Sequence, residues 1–105
     1  MSERLEKLQQ MLAKSPADTF LLYAVAQEYK KAGNFPTALD YFTRVLKQDP
    51  GYCVAYHQGA LALEAAGDND AAKRWYHDGI AAADRVGDGH AKEEMLAALS
   101  MIDDS

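Results

Sequence analysis

Residues 22–50 read LYAVAQEYKKAGNFPTALDYFTRVLKQDP, and residues 56–84 read YHQGALALEAAGDNDAAKRWYHDGIAAAD. Overlaid at a shift of 34 positions they match in kind. Leu22, Val25, Ala26, Tyr29, Gly33, Ala38, Tyr41, Phe42, Leu46 and Pro50 fall on Tyr56, Gly59, Ala60, Leu63, Gly67, Ala72, Trp75, Tyr76, Ile80 and Asp84. Small residues meet small, aromatics meet aromatics, and a turn glycine recurs. A fixed period of this length marks supersecondary units that cannot bury their apolar faces alone and must stack.

Within each unit the apolar residues recur at three and four positions, so the elements are helices and no segment reads as a strand. Working back from the quoted stretch, Ser15-Pro16-Ala17-Asp18 supplies an N-cap serine with proline at the first helical position, which starts a helix running to about Ala32. Lys30 and Lys31 favour its C-terminal dipole, and Gly33 takes the left-handed conformation that ends it. Pro36 falls in the first turn of the next helix, whose buried stripe is Ala38, Tyr41, Phe42, Val45 and Leu46. Asp49-Pro50-Gly51 stops that helix.

The second unit predicts a helix from about Tyr52 to Ala66, a break at Gly67-Asp68-Asn69 with a capping acid, and a helix carrying Ala72, Trp75, Tyr76 and Ile80. With Asp84 in place of proline, this helix continues to Val86 before Gly87-Asp88-Gly89 breaks it. Upstream, Leu5, Leu8, Met11 and Leu12 form the single apolar face of a leading helix. Downstream, Ala91, Met95, Leu96, Leu99 and Ile102 mark a last one. Gly59 inside a helix costs about 1 kcal/mol relative to alanine, so its presence points either to very close backbone approach or to local looseness.

Composition narrows the function. A 49% apolar, 26% charged chain of 105 residues describes one soluble globular domain, and no run of about 18 apolar residues exists to cross a membrane. The charged N-terminus carries no secretory signal, and the single cysteine, Cys53, permits no internal disulfide, so a cytoplasmic location is expected. A net charge of −5 disfavours nucleic acid, which is bound mainly through phosphates neutralised by lysine and arginine.

The two units resemble tetratricopeptide repeats, whose pattern runs Trp-x2-Leu-Gly-x2-Tyr, Ala-x3-Phe, Pro over 34 residues. One reads Leu22-x2-Val25-Ala26-x2-Tyr29, Ala38-x3-Phe42, Pro50; the other reads Tyr56-x2-Gly59-Ala60-x2-Leu63, Ala72-x3-Tyr76, Asp84. The leading helix resembles the second half of an earlier repeat, with Leu8, Met11, Leu12 and Pro16 standing 34 residues ahead of Phe42, Val45, Leu46 and Pro50. Arg4 is its departure, standing where the repeats have alanine. The resemblance implies an all-α fold of about six helices, a right-handed superhelical stack of antiparallel helix pairs, or α-solenoid. It divides a single domain, 1–105, into a leading half-repeat helix at 1–15, repeats at 17–50 and 51–86, and a capping helix at 88–102.

In this family the first helix of each repeat lines a concave groove. By resemblance that groove is lined here by Phe20, Tyr23, Gln27, Lys30 and Lys31 from the first repeat and Val54, His57, Leu61 and Glu64 from the second. Tyr23 sits one residue past the packing position Leu22 and so points away from that stripe. Such a surface, apolar at its centre and charged at its rim, suits an extended peptide or an amphipathic helix. Some family members clamp the C-terminal carboxylate of chaperones with lysine, asparagine and arginine; the corresponding places hold Tyr23, Gln27, Gln58 and Asp88, with only Lys92 basic, so that activity is not expected.

Chemistry has little to stand on. Cys53 and His57 share a helix face at ligand spacing, but a zinc centre needs at least three protein ligands, and His77 and His90 lie on other helices. There is no phosphate-binding loop, no helical His-Glu-x2-His and no nucleophile elbow. The aromatics follow helical packing positions, which makes them core and not a base-stacking platform. No catalytic residue, metal or cofactor is expected. Two readings remain: an adaptor that binds another protein or peptide in its groove, and a self-associating module that dimerises through the stripe Leu5, Leu8, Met11 and Leu12.

Overall fold

The computed structural model describes residues 2–103, with the Asp103 side chain outside the description. Six helices follow one another: α1 (Glu3–Lys14), α2 (Thr19–Lys31), α3 (Phe35–Gln48), α4 (Cys53–Ala65), α5 (Asn69–Val86) and α6 (Gly89–Asp103). Among the described residues there is no strand. Short connections fold the helices back on one another, so that each packs against its chain neighbour in an all-α solenoid stack. The extents are 40 × 29 × 17 Å, and the smallest is about two helix layers thick.

The punctuation is local chemistry. Gly33, Gly67 and Gly87 adopt φ of 82°, 84° and 73°, the left-handed region that a side chain disfavours, and each ends a helix. Asp18, Asn34 and Asp68 follow or replace these stops as N-caps, their side-chain oxygens accepting from the N–H groups of Leu21, Thr37 and Ala71. Tyr52 and Ala66 flank α4 as its cap residues. Helix α5 runs 18 residues against 14 for α3, because Asp84 continues a helix where Pro50 could not.

One expected start is corrected. Ser15 does not cap α2; it is the C-cap of α1, its N–H donating to the Leu12 carbonyl at 3.0 Å. The Asp18 N–H donates to the Ser15 carbonyl at 3.0 Å, so Pro16 occupies the second position of a tight turn, where its fixed φ is equally at home, and Asp18 caps the helix instead.

The core comprises two apolar clusters along the stack. Leu5, Leu8, Leu12, Leu22, Val25, Phe42 and Val45 belong to the first; Leu63, Ala72, Tyr76, Met95, Leu99 and Ile102 belong to the second, and Trp75 packs against both. Phe42 and Tyr76, one period apart, are fully buried, and each such side chain contributes about 1.5–3 kcal/mol. Tyr29, Tyr56 and Trp75 are only half-buried, packing as ring pairs: Tyr29 stacks on Tyr41 with centroids 5.6 Å apart, and Tyr56 meets Trp75 edge-on at 6.3 Å.

Gly59 is a close-approach glycine. A Cβ at that position would overlap two ring carbons of Trp75, so α5 reaches α4 only because the side chain is missing. Gly79 does the same for α6: its Cβ would fall 2.6 Å from Cβ of Tyr56 and 2.5 Å from Sδ of Met95. The leading helix differs from expectation. Leu5, Leu8 and Leu12 are buried in the first cluster, leaving only Met11 of that stripe exposed, at 53%.

Candidate protein-binding groove

The inner side of the stack follows from which helices touch. The backbone of α2 approaches that of α4, and α4 that of α6, whereas the backbones of α1 and α3, and of α3 and α5, stay farther apart. The stack is therefore closed up on the side of α2, α4 and α6, the side where the sequence places the groove, and spread on the other. Two polar contacts bridge these helices. Lys30 Nζ donates to Gln58 Oε1 at 2.9 Å between α2 and α4, and His57 Nδ1 lies 3.9 Å from Glu94 Oε2 between α4 and α6.

The residues expected at the groove divide by exposure. Phe20 is 67% exposed and Val54, one period later, 41% exposed: two large apolar side chains facing water one turn into neighbouring helices. Lys31 is exposed at the C-terminal end of α2, and Leu61 is half-buried. The others are partly engaged in the fold. Tyr23 is half-buried, its ring 5.5 Å from Tyr52 and 5.9 Å from Phe42, and its hydroxyl accepts from Gln27 Nε2 at 3.1 Å. Burial and the neighbouring Tyr52 raise its pKa. Tyr23, expected to point away from the Leu22 stripe, packs against the same first cluster as Leu22 and is not a free surface residue, because its ring closes the gap between α2 and the α3–α4 connection.

Gln27 Oε1 is buried and accepts no hydrogen bond among the described residues. Glu64 accepts a 2.6 Å hydrogen bond from the Tyr76 hydroxyl. Burial first, and that bond to a carboxylate second, push the Tyr76 phenol well above its ordinary range. His57 is mostly covered, its ring edge-on to Tyr76 at 5.8 Å. Of the residues expected at the groove, Tyr23, His57 and Glu64 are thus tied to the core, and Phe20, Lys31, Val54 and Leu61 are the more accessible.

The cysteine is not set up as a nucleophile. Its thiol is buried and donates to the Gly51 carbonyl at 3.4 Å; burial, followed by the nearby Asp88, raises its pKa, the direction that suppresses thiolate. Among the described residues no group of three His, Cys, Asp or Glu side chains is placed to hold a metal ion.

Known proteins share this arrangement. The tetratricopeptide repeat model matches residues 19–52, which span α2 and α3. The TPR repeat-containing protein PA0015 of Pseudomonas aeruginosa is 32% identical over 99 residues, 94% of each chain. The chain belongs to the tetratricopeptide repeat family. Among solved structures, protein BPP2914 of Bordetella parapertussis superposes with a TM-score of 0.84 at 28% identity, covering 97% of this chain and 89% of that one. A tetratricopeptide repeat domain protein from Salinibacter ruber superposes at 0.76 with 31% identity, covering 83% and 88%.

Tetratricopeptide repeats generally mediate protein–protein interaction, and the family is typically non-enzymatic. What the repeat pattern alone did not reveal is how α6 meets α4. Helix α6 brings Glu94 between two imidazoles, with His90 Nε2 2.6 Å from Oε1 and His57 Nδ1 3.9 Å from Oε2. The His90–Glu94 pair is readable as an i, i+4 contact, but nothing in the sequence links either residue to His57.

Proposed function

We propose that this chain is a non-enzymatic adaptor that binds a peptide segment or helix of another protein in the groove formed by α2, α4 and α6. The observation that carries the reading is the ladder of Phe20 and Val54. Large apolar side chains stand in water at repeat-equivalent positions on the inner helices, while the packing aromatics one period apart, Phe42 and Tyr76, are fully buried. Anchors of this kind on a rigid surface bind a flexible segment with little ordering cost on the adaptor's side.

No helix of the described residues is long and apolar enough to cross a membrane, and the net charge of −5 speaks against a polyanionic partner. The single cysteine, present as a free thiol, fits a reducing compartment such as the cytoplasm. Dimerisation through the leading helix is less favoured, because Leu5, Leu8 and Leu12 are already covered by α2.

The test is affinity capture from lysate with the wild type and the variant Phe20→Ser/Val54→Ser. Both positions are exposed, so the variant is expected to keep its helical content and melting temperature. Proteins retained by the wild type and lost by the variant support the groove; identical captures overturn it.

A further inference from the structure

The two ends of the stack carry the two halves of one contact. Inside the molecule, the eighth residue of α2 and of α4, Ala26 and Ala60, has no exposed surface, and each shares a core cluster with the helix that follows it: Ala26 with Ala38 and Phe42, Ala60 with Ala72 and Tyr76. The eighth residue of α6 is Leu96, and it is 44% exposed. At the other end, Arg4 and Met11 of α1 occupy the repeat places of Ala38 and Val45 on α3. Those two are fully buried, yet the Arg4 side chain is 68% exposed and Met11 53%. Helix α1 therefore shows the face that α3 turns to the helix before it, and α6 shows the face that α2 and α4 turn to the helix after them.

The face on α1 is shaped to receive a knob. Glu3, Arg4, Lys7 and Leu8 surround a hollow of about 400 Å3, and their spacing is that of the four residues that form a hole in knobs-into-holes packing. In the repeats the two inner places held here by Lys7 and Leu8 belong to Tyr41 and Phe42, and to Trp75 and Tyr76. There rings fill the hole and the facing residue is small, as where Gly59 meets Trp75. In α1 the rings are gone, and on α6 a leucine replaces the alanine, so bulk lost from the hole returns in the knob. Arg4, larger than the alanine it replaces, has Nε 3.6 Å from Glu28 Oε2, which draws it toward α2.

Charge agrees with shape. Helix α1 exposes Lys7 and Lys14 on the stripe of Met11, and α6 exposes Glu93 one turn before Leu96, while Lys92 is paired with Asp84 at 2.8 Å. With α6 antiparallel to α1, seating Leu96 in the hollow brings Glu93 against Lys7 and Met11. We propose that α6 of one copy packs on α1 of a second copy, with Leu96 among Glu3, Arg4, Lys7 and Leu8, so that copies stack head to tail and continue the solenoid. Leu5 and Leu12 stay in the core, and Leu8 contributes only the edge it shows in the hollow. The contact is heterologous: each copy offers one face of each kind, so association does not stop at two. A single helix pair makes a small interface, which sets Kd on the order of 100 μM.

The test is sedimentation equilibrium of the full chain from well below to several times that concentration, with circular dichroism to confirm that each variant keeps its helices. The weight-average mass is expected to climb past the dimer as concentration rises. Leu96→Asp should weaken association about tenfold or more, by loss of a buried leucine. Lys7→Glu and Glu93→Lys should each weaken it about fivefold or more, by setting like charges together. An equal mixture of the Lys7→Glu and Glu93→Lys proteins should recover the wild-type value, because each copy then meets opposite charge at both ends. Phe20→Ser/Val54→Ser should leave it unchanged. A monomer throughout, a mass that stops at the dimer, or association indifferent to Lys7, Glu93 and Leu96 overturns the proposal. Loss of association in Phe20→Ser/Val54→Ser but not in the end variants overturns it too, and assigns the self-contact to the groove.

Discussion

Replacing Gly59 by alanine sets two effects of known sign against each other. Gly59 lies within α4, where helix propensity alone favours alanine by about 1 kcal/mol. Packing opposes this. The added Cβ would overlap two ring carbons of Trp75, a ring held by Tyr56 on one side and seated where the two core clusters meet. Overpacking of this kind costs about 1–3 kcal/mol, so Gly59→Ala is expected to destabilise by about 1 kcal/mol net. For a domain of this size that lowers Tm by about 4–8 °C.

The sign should reverse once the obstacle is removed. In a Trp75→Leu background, which lacks those ring carbons, Gly59→Ala should stabilise by up to about 1 kcal/mol, giving a coupling of about 2 kcal/mol between the sites. Urea denaturation followed by far-UV circular dichroism measures all four members of the cycle. Trp75, the chain's one tryptophan, adds a fluorescence readout of the wild-type and Gly59→Ala proteins. A stabilising Gly59→Ala in the wild-type background, or the same change in both backgrounds, refutes the close-approach argument.

Phe42→Ala empties a fully buried position and should cost about 3–5 kcal/mol, a large part of the stability of a small domain; thermal melts check it, and a loss below about 1 kcal/mol would contradict the placement of Phe42. Tyr76 has a folded pKa raised above its ordinary 10.0, so it contributes stability that is complete below pH 10 and is lost as pH rises from there toward the folded value. Tyr76→Phe should therefore flatten the fall in stability above pH 10, and an unchanged fall would exclude Tyr76 as its source. Cys53 should react with iodoacetamide at pH 8 more slowly than a free cysteine, because burial both hides the thiol and raises its pKa; equal or faster labelling in the folded state would contradict this.

The fold was legible because its determinants are local and repeated. Gly33 and Gly67 stop helices by a property of glycine, and the alternation of small and large residues at a 34-residue period announces stacking before any contact is known. The start of α2 was misread for a physical reason. Serine and aspartate are both good caps, and Pro16 suits the second position of a turn as well as the first position of a helix, so only the backbone hydrogen bonds separate Ser15 from Asp18. Tyr23 was expected at the groove from its register, but it packs against the first cluster, and its contact with Tyr52 depends on a connection whose path the sequence does not specify. Gly79 escaped notice because its repeat equivalent is Val45, and the small residue is needed only where α6 comes in. The meeting of Glu94 with His57 was invisible for a related reason, because α6 follows a helix four residues longer than its counterpart, outside the repeat register.

The central claim, that the face of α2, α4 and α6 is where this chain meets another protein, is tested most directly by site-specific photocrosslinking in cells. A photoreactive amino acid is placed singly at Phe20, Val54 and Leu61, and at Asp40 and Arg44 on α3. Adducts of one common mass from the three inner positions and none from α3 are the predicted result. Adducts formed equally from α3, or from neither face, would contradict it.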